Sequence, residues 1–323
     1  MKAIALISEG LDSLLAARLI EQLGIEVIGI KFKIPFYLRR NQKQPALSPV
    51  TKEIDIGEEF LKMFKGPAFG YGANMNPCID CKILMLTKTK ELMVAWGAAF
   101  VVTGEVLGQR PMSQHKQALE IIARKAGLEG LVLRPLSARL LTETLPEIKG
   151  WVDRSKLLDY SGRSRKPQIA LAKAMGISAY SQPAGGCLLT DPAFSRRLKD
   201  LISHEPLTLD NVELLKIGRH FRLSEKAKLV VGRDEEENMQ LLDLAAETDY
   251  LFMPADEIAG PTAVGRGVFN RELIGLAASM LCYYSDLNGK MDSQVFYREA
   301  REKESQSIEA TAIEEQNLAG LRI

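Results

Sequence analysis

Apolar and polar positions alternate in blocks along the first half of the chain. Ala3 to Ile7 is a short continuous apolar run, the pattern of a strand buried on both faces. A polar turn, Ser8-Glu9-Gly10-Leu11-Asp12-Ser13, follows it at once. Leu14, Leu15, Leu19, Ile20 and Leu23 then recur at helical spacing, and Gly24 closes that helix. Ile25 to Ile34 is a second strand-like run rich in β-branched residues, completing a strand–helix–strand unit. Ala99 to Thr103 predicts another buried strand, Ala118, Ile121, Ile122 and Ala126 a helix closed by Gly127, and Leu131 to Leu133 a further strand. Pro167 suits the first turn of a helix running to Met175. This alternation predicts an α/β fold with a doubly wound parallel sheet over residues 1–195.

Beyond that point the texture changes. Arg219 to Val231 predicts a pair of strands, Glu235 to Glu247 a helix, Tyr250 to Met253 a strand and Glu272 to Tyr284 a helix. Residues 196–290 therefore read as a smaller α+β domain. Residues 291–323 are charged, with sparse apolar positions (Ile308, Ile313, Leu318, Leu321), and read as a helical tail.

Composition narrows the class. With 323 residues, 46% hydrophobic and 26% charged, the chain suits a soluble globular protein of two domains. Four cysteines are too few for a disulfide framework in a chain of this length. The apolar start meets polar residues too early for a signal peptide, and no apolar run approaches spanning length, so a cytoplasmic protein with reduced or metal-bound cysteines is expected. The net charge of +1 says nothing for nucleic acid, but its distribution does. From Arg134 to Lys173 there are nine Lys/Arg against four Asp/Glu, and from Arg196 to Arg233 nine against five. Either stretch is a candidate phosphate-binding surface or a solvated helix face.

The first strand-to-helix turn is where doubly wound sheets bind ligands, and helix N-termini suit phosphate. Gly10 permits close approach, Ser8 and Ser13 carry hydroxyls, and Asp12 is a candidate for Mg²⁺ or for capping the helix. Neither common glycine-rich phosphate loop is present. Elsewhere, Cys78 and Cys81 form Cys-x-x-Cys within Asn76-Pro77-Cys78-Ile79-Asp80-Cys81-Lys82, a zinc half-site, a redox dithiol or two ligands of an iron–sulfur cluster. Cys187 follows Gly185-Gly186, whereas Cys282, on an apolar helical stretch, reads as core. His115, His204 and His220 show no ligand spacing.

The turn Ser8 to Ser13 resembles the Ser-Gly-Gly-x-Asp-Ser loop of PP-loop ATP pyrophosphatases, with Glu9 replacing a glycine. The resemblance implies an adenine nucleotide alpha hydrolase-like fold that binds ATP with Mg²⁺ and adenylates an oxygen. Its nucleotide-contacting set would be Ser8, Gly10, Leu11, Asp12, Ser13 and Gly104, together with Phe32 in the second strand-like run. The cysteine segments resemble those of the tRNA 2-thiouridylases, in which Cys81 matches the catalytic cysteine and Cys187 its partner, while an aspartate stands at the position of Cys78. Three cysteines are similar to the iron–sulfur-dependent tRNA thiolases, which implies that Cys78, Cys81 and Cys187 hold a 4Fe–4S cluster with one open iron. A persulfide on Cys187 resolved by Cys81 is the other route. Val231-Gly232-Arg233-Asp234 with Glu237-Asn238 resembles the NFACT-R type of RNA-associated domain. The expected activity is ATP-dependent tRNA thiolation, catalysed through Cys81, Cys187, Cys78 and Asp12. Arg163, Arg165, Lys166, Arg219, Arg222 and Arg233 are its candidate RNA contacts. Expected partners are tRNA, a sulfur donor (sulfide or a persulfide carrier) and a second copy of the chain in a homodimer, with no membrane. Adenylation and sulfur transfer on a small molecule or carrier protein, and an RNA-binding or iron–sulfur sensing protein with a degenerate loop, are the rival readings.

Overall fold

The computed structural model describes residues 1–8, 10–37, 49–177, 180, 187–287 and 292–323. The contacts divide the chain into two units, Met1–Thr190 and Asp191–Ile323. Glu9 and residues 182–186, both singled out in the sequence, lie outside the described residues.

In the first unit the expected alternation forms β1 (Lys2–Leu6), α1 (Leu11–Gln22), β2 (Glu26–Lys33), β3 (Thr51–Asp55), α2 (Gly57–Phe64), α3 (Cys78–Trp96), β4 (Phe100–Thr103), α4 (Lys116–Lys125), β5 (Val132–Leu133), α5 (Leu145–Ile148) and α6 (Lys166–Ala174). The strands make one parallel sheet in the order β3-β2-β1-β4-β5. It is doubly wound because successive side chains point to opposite faces. Ala3 and Ala5, with Phe100 and Val102, pack with Leu15, Ala16 and Ile20 of α1 and Ala172 of α6. Ile4 and Val101 face the other way, onto Leu86 and Met93 of α3 and Ile122 of α4. The strand order reverses at β1 and β4, whose carboxyl ends border the crevice where such sheets bind ligands.

The second unit comprises α7 (Pro192–His204), α8 (Leu209–Leu214), β6 (Arg219–Ser224), β7 (Ala227–Val231), α9 (Glu235–Leu244), β8 (Tyr250–Pro254), β9 (Ala263–Gly267), α10 (Arg271–Tyr284), β10 (Asp292–Glu299), β11 (Gln306–Thr311) and α11 (Glu315–Leu321). Its strands form an antiparallel sheet, β11-β10-β8-β9-β7-β6. One face buries Phe221, Leu229, Phe252 and Val295 under α10, where Cys282 is core as expected.

The tail departs from its helical expectation. Residues 292–299 and 306–311 are strands, and only Glu315–Leu321 is helical. Charged residues there line the exposed side of a half-buried hairpin, while Val295 and Ala310 reach the core, a two-residue alternation too sparse to register as apolar. Among the described residues no helix is long and apolar enough to cross a membrane. Because Val295 is fully packed, Val295→Ala is expected to cost about 2 kcal/mol in chemical denaturation; a frayed tail would tolerate it without loss.

Candidate functional site

The turn after β1 is ordered by its own hydroxyl. Ser13 Oγ accepts from the Ser8 amide at 3.1 Å and donates to the Gly10 carbonyl at 2.8 Å, so this hydroxyl is used within the loop. Gly10 caps α1 without a side-chain bond, which leaves first-turn amides open to an anion. Leu11 is buried and its side chain belongs to the core. Phe32, too, packs against the core beside Ile30 and Leu86.

Gly104 ends β4 against this turn. A methyl group on its Cα would lie 2.4 Å from the Ser13 amide nitrogen and 2.5 Å from the Asp12 carbonyl carbon. Only glycine permits that approach of two backbones. Asp12 is then held from two directions. Its Oδ2 accepts from Arg165 Nη2 at 2.9 Å and from Gln109 Nε2 at 3.1 Å, while its buried Oδ1 has no hydrogen-bond partner among the described residues. Arg165 reaches it because Ser161 pairs with Leu107 and the Gly162 amide bonds the Leu107 carbonyl at 2.7 Å, laying that segment along the loop after β4. The carboxylate that a phosphate would oppose thus carries its own counter-cation. Arg163 and Lys166 remain exposed.

Cys78 and Cys81 occupy the first turn of α3. Asn76 donates to Cys78 Sγ at 3.1 Å, and the Asp80 carboxylate accepts from the Ala68 and Phe69 amides at 2.9 and 3.0 Å. Met75, just ahead of this turn, has φ of 64°, an unusual conformation for a side-chain-bearing residue. Cys187 is brought alongside from the far end of the unit: it bridges Tyr37, and the Leu188 amide bonds the Phe36 carbonyl at 2.8 Å. Phe36, Phe60, Phe64 and Tyr71 stack beneath this junction, with ring centroids 5.1 to 6.3 Å apart.

The three cysteines share one electrostatic environment. Burial, then Cys187 and Cys78, push the Cys81 thiol up to about 12, against the opposing pull of Lys82 and Arg110. Burial also pushes Cys187 up to about 11, with Cys78 adding to the rise and Arg110 opposing it. Arg110 directly follows Gln109, so adjacent residues after β4 serve Asp12 and the cysteines. Among the described residues, however, no three Cys, His, Asp or Glu side chains are grouped closely enough to hold a metal ion as they stand.

Beneath the cysteines runs a buried ion network that sequence reasoning missed. Glu105 accepts from Arg134 Nε at 3.0 Å and Thr103 Oγ1 at 3.1 Å, and its other oxygen lies 3.6 Å from Lys82 Nζ. Burial raises the Glu105 carboxyl, but Lys82, Arg134 and Thr103 outweigh it and hold the group below its usual range. Gln109, Arg110 and Asn76 also escaped notice, since nothing in their local sequence marks them.

Of the remaining candidates, Arg222 is neutralised by Asp200 and Glu205, Arg233 pairs with Glu237, and Arg219 donates to the Gly232 carbonyl at 2.8 Å above the Tyr284 ring. Arg222 is thus charge-paired within the unit. Residues 218–321, within the second unit, match the family described as NFACT protein RNA binding domain. No curated protein matches the chain. Among solved structures, the C-terminal part of a fibronectin/fibrinogen-binding protein from Streptococcus suis is similar at 13% identity and a TM-score of 0.30, over 82% of this chain and 97% of that one. A Methanocaldococcus jannaschii protein described as a predicted subunit of tRNA methyltransferase is similar at 14% identity and 0.30, over 55% of this chain and 90% of that one.

Two outcomes follow from this geometry. Gly104→Ala is expected to cost about 1–3 kcal/mol, because two backbones must separate; an unchanged denaturation midpoint would contradict the contact. Glu105, held low when folded, stabilises fully above its unfolded value of 4.5, and that contribution is lost as pH falls below it through the lower folded value. A comparison of acid unfolding should therefore find this loss in the native chain and a shallower one in Glu105→Gln.

Proposed function

We propose that this chain is an ATP-dependent tRNA thiolase, in which the first unit adenylates a uridine carbonyl oxygen and replaces it with sulfur. The observation that carries the reading is the pair Gln109 and Arg110, one bonded to Asp12 of the phosphate-type turn and the other facing Cys81 and Cys187. A site for activating an oxygen and a site for handling sulfur then share one crevice. The RNA-binding domain similarity of the second unit supports RNA over a small molecule as substrate.

In this mechanism the open amides at the start of α1 receive the ATP phosphates. Arg165 and Gln109 fix the Asp12 carboxylate through Oδ2, and its orphaned Oδ1 suits a hard cation, so Asp12 would hold Mg²⁺, which offsets phosphate charge. The uridine oxygen attacks the α-phosphorus and pyrophosphate leaves. Sulfide then attacks the activated carbon, the carbon–oxygen bond breaks with AMP departing, and one proton is released as the thiocarbonyl forms.

For the sulfur site, three thiols without a fourth protein donor suit an iron–sulfur cluster in kind and number, although their spacing would have to close around it. Cys78, Cys81 and Cys187 would hold a 4Fe–4S cluster, whose iron lacking a protein ligand supplies a place for sulfide. Burial keeps the Cys81 and Cys187 thiols protonated at neutral pH, so a cluster held there would have to displace their protons. Among the described residues the three thiols are not grouped as a ready ligand set, which favours a second reading, a persulfide on Cys187 whose outer sulfur is transferred as Cys81 closes a disulfide, later reopened by a thiol reductant.

Anaerobic purification with iron and acid-labile sulfide analysis tests the choice. About four irons per chain are expected, as a 4Fe–4S cluster requires. They should be lost in Cys78→Ala, Cys81→Ala and Cys187→Ala and kept in Cys282→Ala. A reconstituted protein without iron that still thiolates tRNA would establish the persulfide route. Absence of ATP-to-AMP turnover with tRNA, using sulfide for the iron-loaded form and a persulfide donor for the iron-free form, would refute the thiolase.

A further inference from the structure

The basic stretch from Arg196 to Arg233 can be sorted by what each cation meets. Lys216 pairs with Glu213, Arg222 with Asp200 and Glu205, and Lys228 with Glu205. Those pairs occupy three of the five acidic residues in the stretch. Arg197 is different: its guanidinium lies over the ring of the buried Phe194 at 5.5 Å and has neither hydrogen bond nor ion pair among the described residues.

Register places Arg197 within a cluster. Asp200 of α7 is bonded to Arg222 of β6, and Arg197 precedes Asp200 by one helical turn on the same face. His220 precedes Arg222 by two strand residues, so it shares that side of the sheet. The Asp200–Arg222 pair therefore sets Arg197 beside His220. Arg233 enters from the end of β7, after the Gly232 carbonyl that holds Arg219.

The cluster is not balanced from within. Burial pulls the Arg197 guanidinium below its usual value, and Arg233 and Arg196 add to this, while Asp191 and Glu237 oppose it. Glu237 is already engaged by Arg233 and by the Gly218 and Arg233 amides. His220 contributes no cation, because burial, Arg197 and Lys228 hold it well below its usual value. Its Nε2 lies 2.8 Å from the Ile217 carbonyl, which only accepts, so Nε2 carries the proton and the buried Nδ1 offers a lone pair that meets no donor. Arg196 is exposed beside Arg197.

We infer that Arg197, with Arg196 and Arg233 at its rim, is a binding site for a backbone phosphate of RNA. Arg233 and His220 lie inside the span that matches the RNA-binding domain, whereas Arg196 and Arg197 lie before it, so the site extends that domain onto α7. The inference rests on the reading that the chain engages RNA, and not on the sulfur chemistry.

Fluorescence anisotropy with the full chain and a labelled tRNA transcript, at several salt concentrations, tests it. Arg197→Gln should weaken binding about tenfold and lower the slope of log affinity against log salt by about one, the mark of one lost phosphate contact. Arg197→Lys should keep the slope, and Lys199→Gln, on another face of α7, should change little. Thermal melts confirm that each variant is folded. Equal losses for Lys199→Gln and Arg197→Gln, or none for a folded Arg197→Gln, would overturn the site. No tRNA binding by the folded chain, with inorganic phosphate still bound in calorimetry, would also overturn it, leaving only a free-anion site. A Cys81→Ala chain that binds RNA normally but does not thiolate would bear on the first unit alone.

Discussion

The contact between Gly104 and the Asp12–Ser13 backbone sets the geometry of the first unit. It brings the carboxyl end of β4 against the turn after β1, at the point where strand order reverses. No side chain fits between the two backbones, so the loop after β4 must leave beside the phosphate-type turn. Glu105, Gln109 and Arg110 are carried into the crevice by that exit. Asp12 gains Gln109 as a partner, and Arg165 is delivered by the segment paired to Leu107.

Charge is then distributed in a consistent way. Arg134 stabilises the buried Glu105, and Glu105 draws in Lys82 from α3, immediately after Cys81. Opposite them, Arg110 faces Cys81 and Cys187. Burial outweighs the pull of Lys82 and Arg110, so Cys81 and Cys187 are neutral thiols at neutral pH. The second unit contrasts with this: its half-buried Arg222 and buried Lys228 are matched by Asp200 and Glu205, and its surplus appears at Arg197.

Much of the first unit was legible because buried parallel strands and amphipathic helices leave periodic patterns, and because Gly24, Gly127 and Pro167 punctuate them. The antiparallel tail was not legible: β10 and β11 bury only Ser293, Val295 and Ala310 and flank them with charge, a pattern that imitates a polar helix. Ser8, Asp12 and the cysteines were visible as motifs. Gln109, Arg110, Lys82 and Glu105 were not, because a polar residue in a loop looks the same whether it faces water or a site.

The sequence by itself determined the strand and helix periodicities of the first unit, the turn that meets a helix N-terminus, and the spacing of Cys78 from Cys81, since all of these are local properties of the chain. Only the tertiary structure decided that Cys187 lies beside Tyr37 near the other two cysteines, that Arg165 answers Asp12, and that Arg222 is neutralised while Arg197 is not. Those outcomes join residues far apart in the chain, and burial with charge pairing selects among them only after the sheet order is in place.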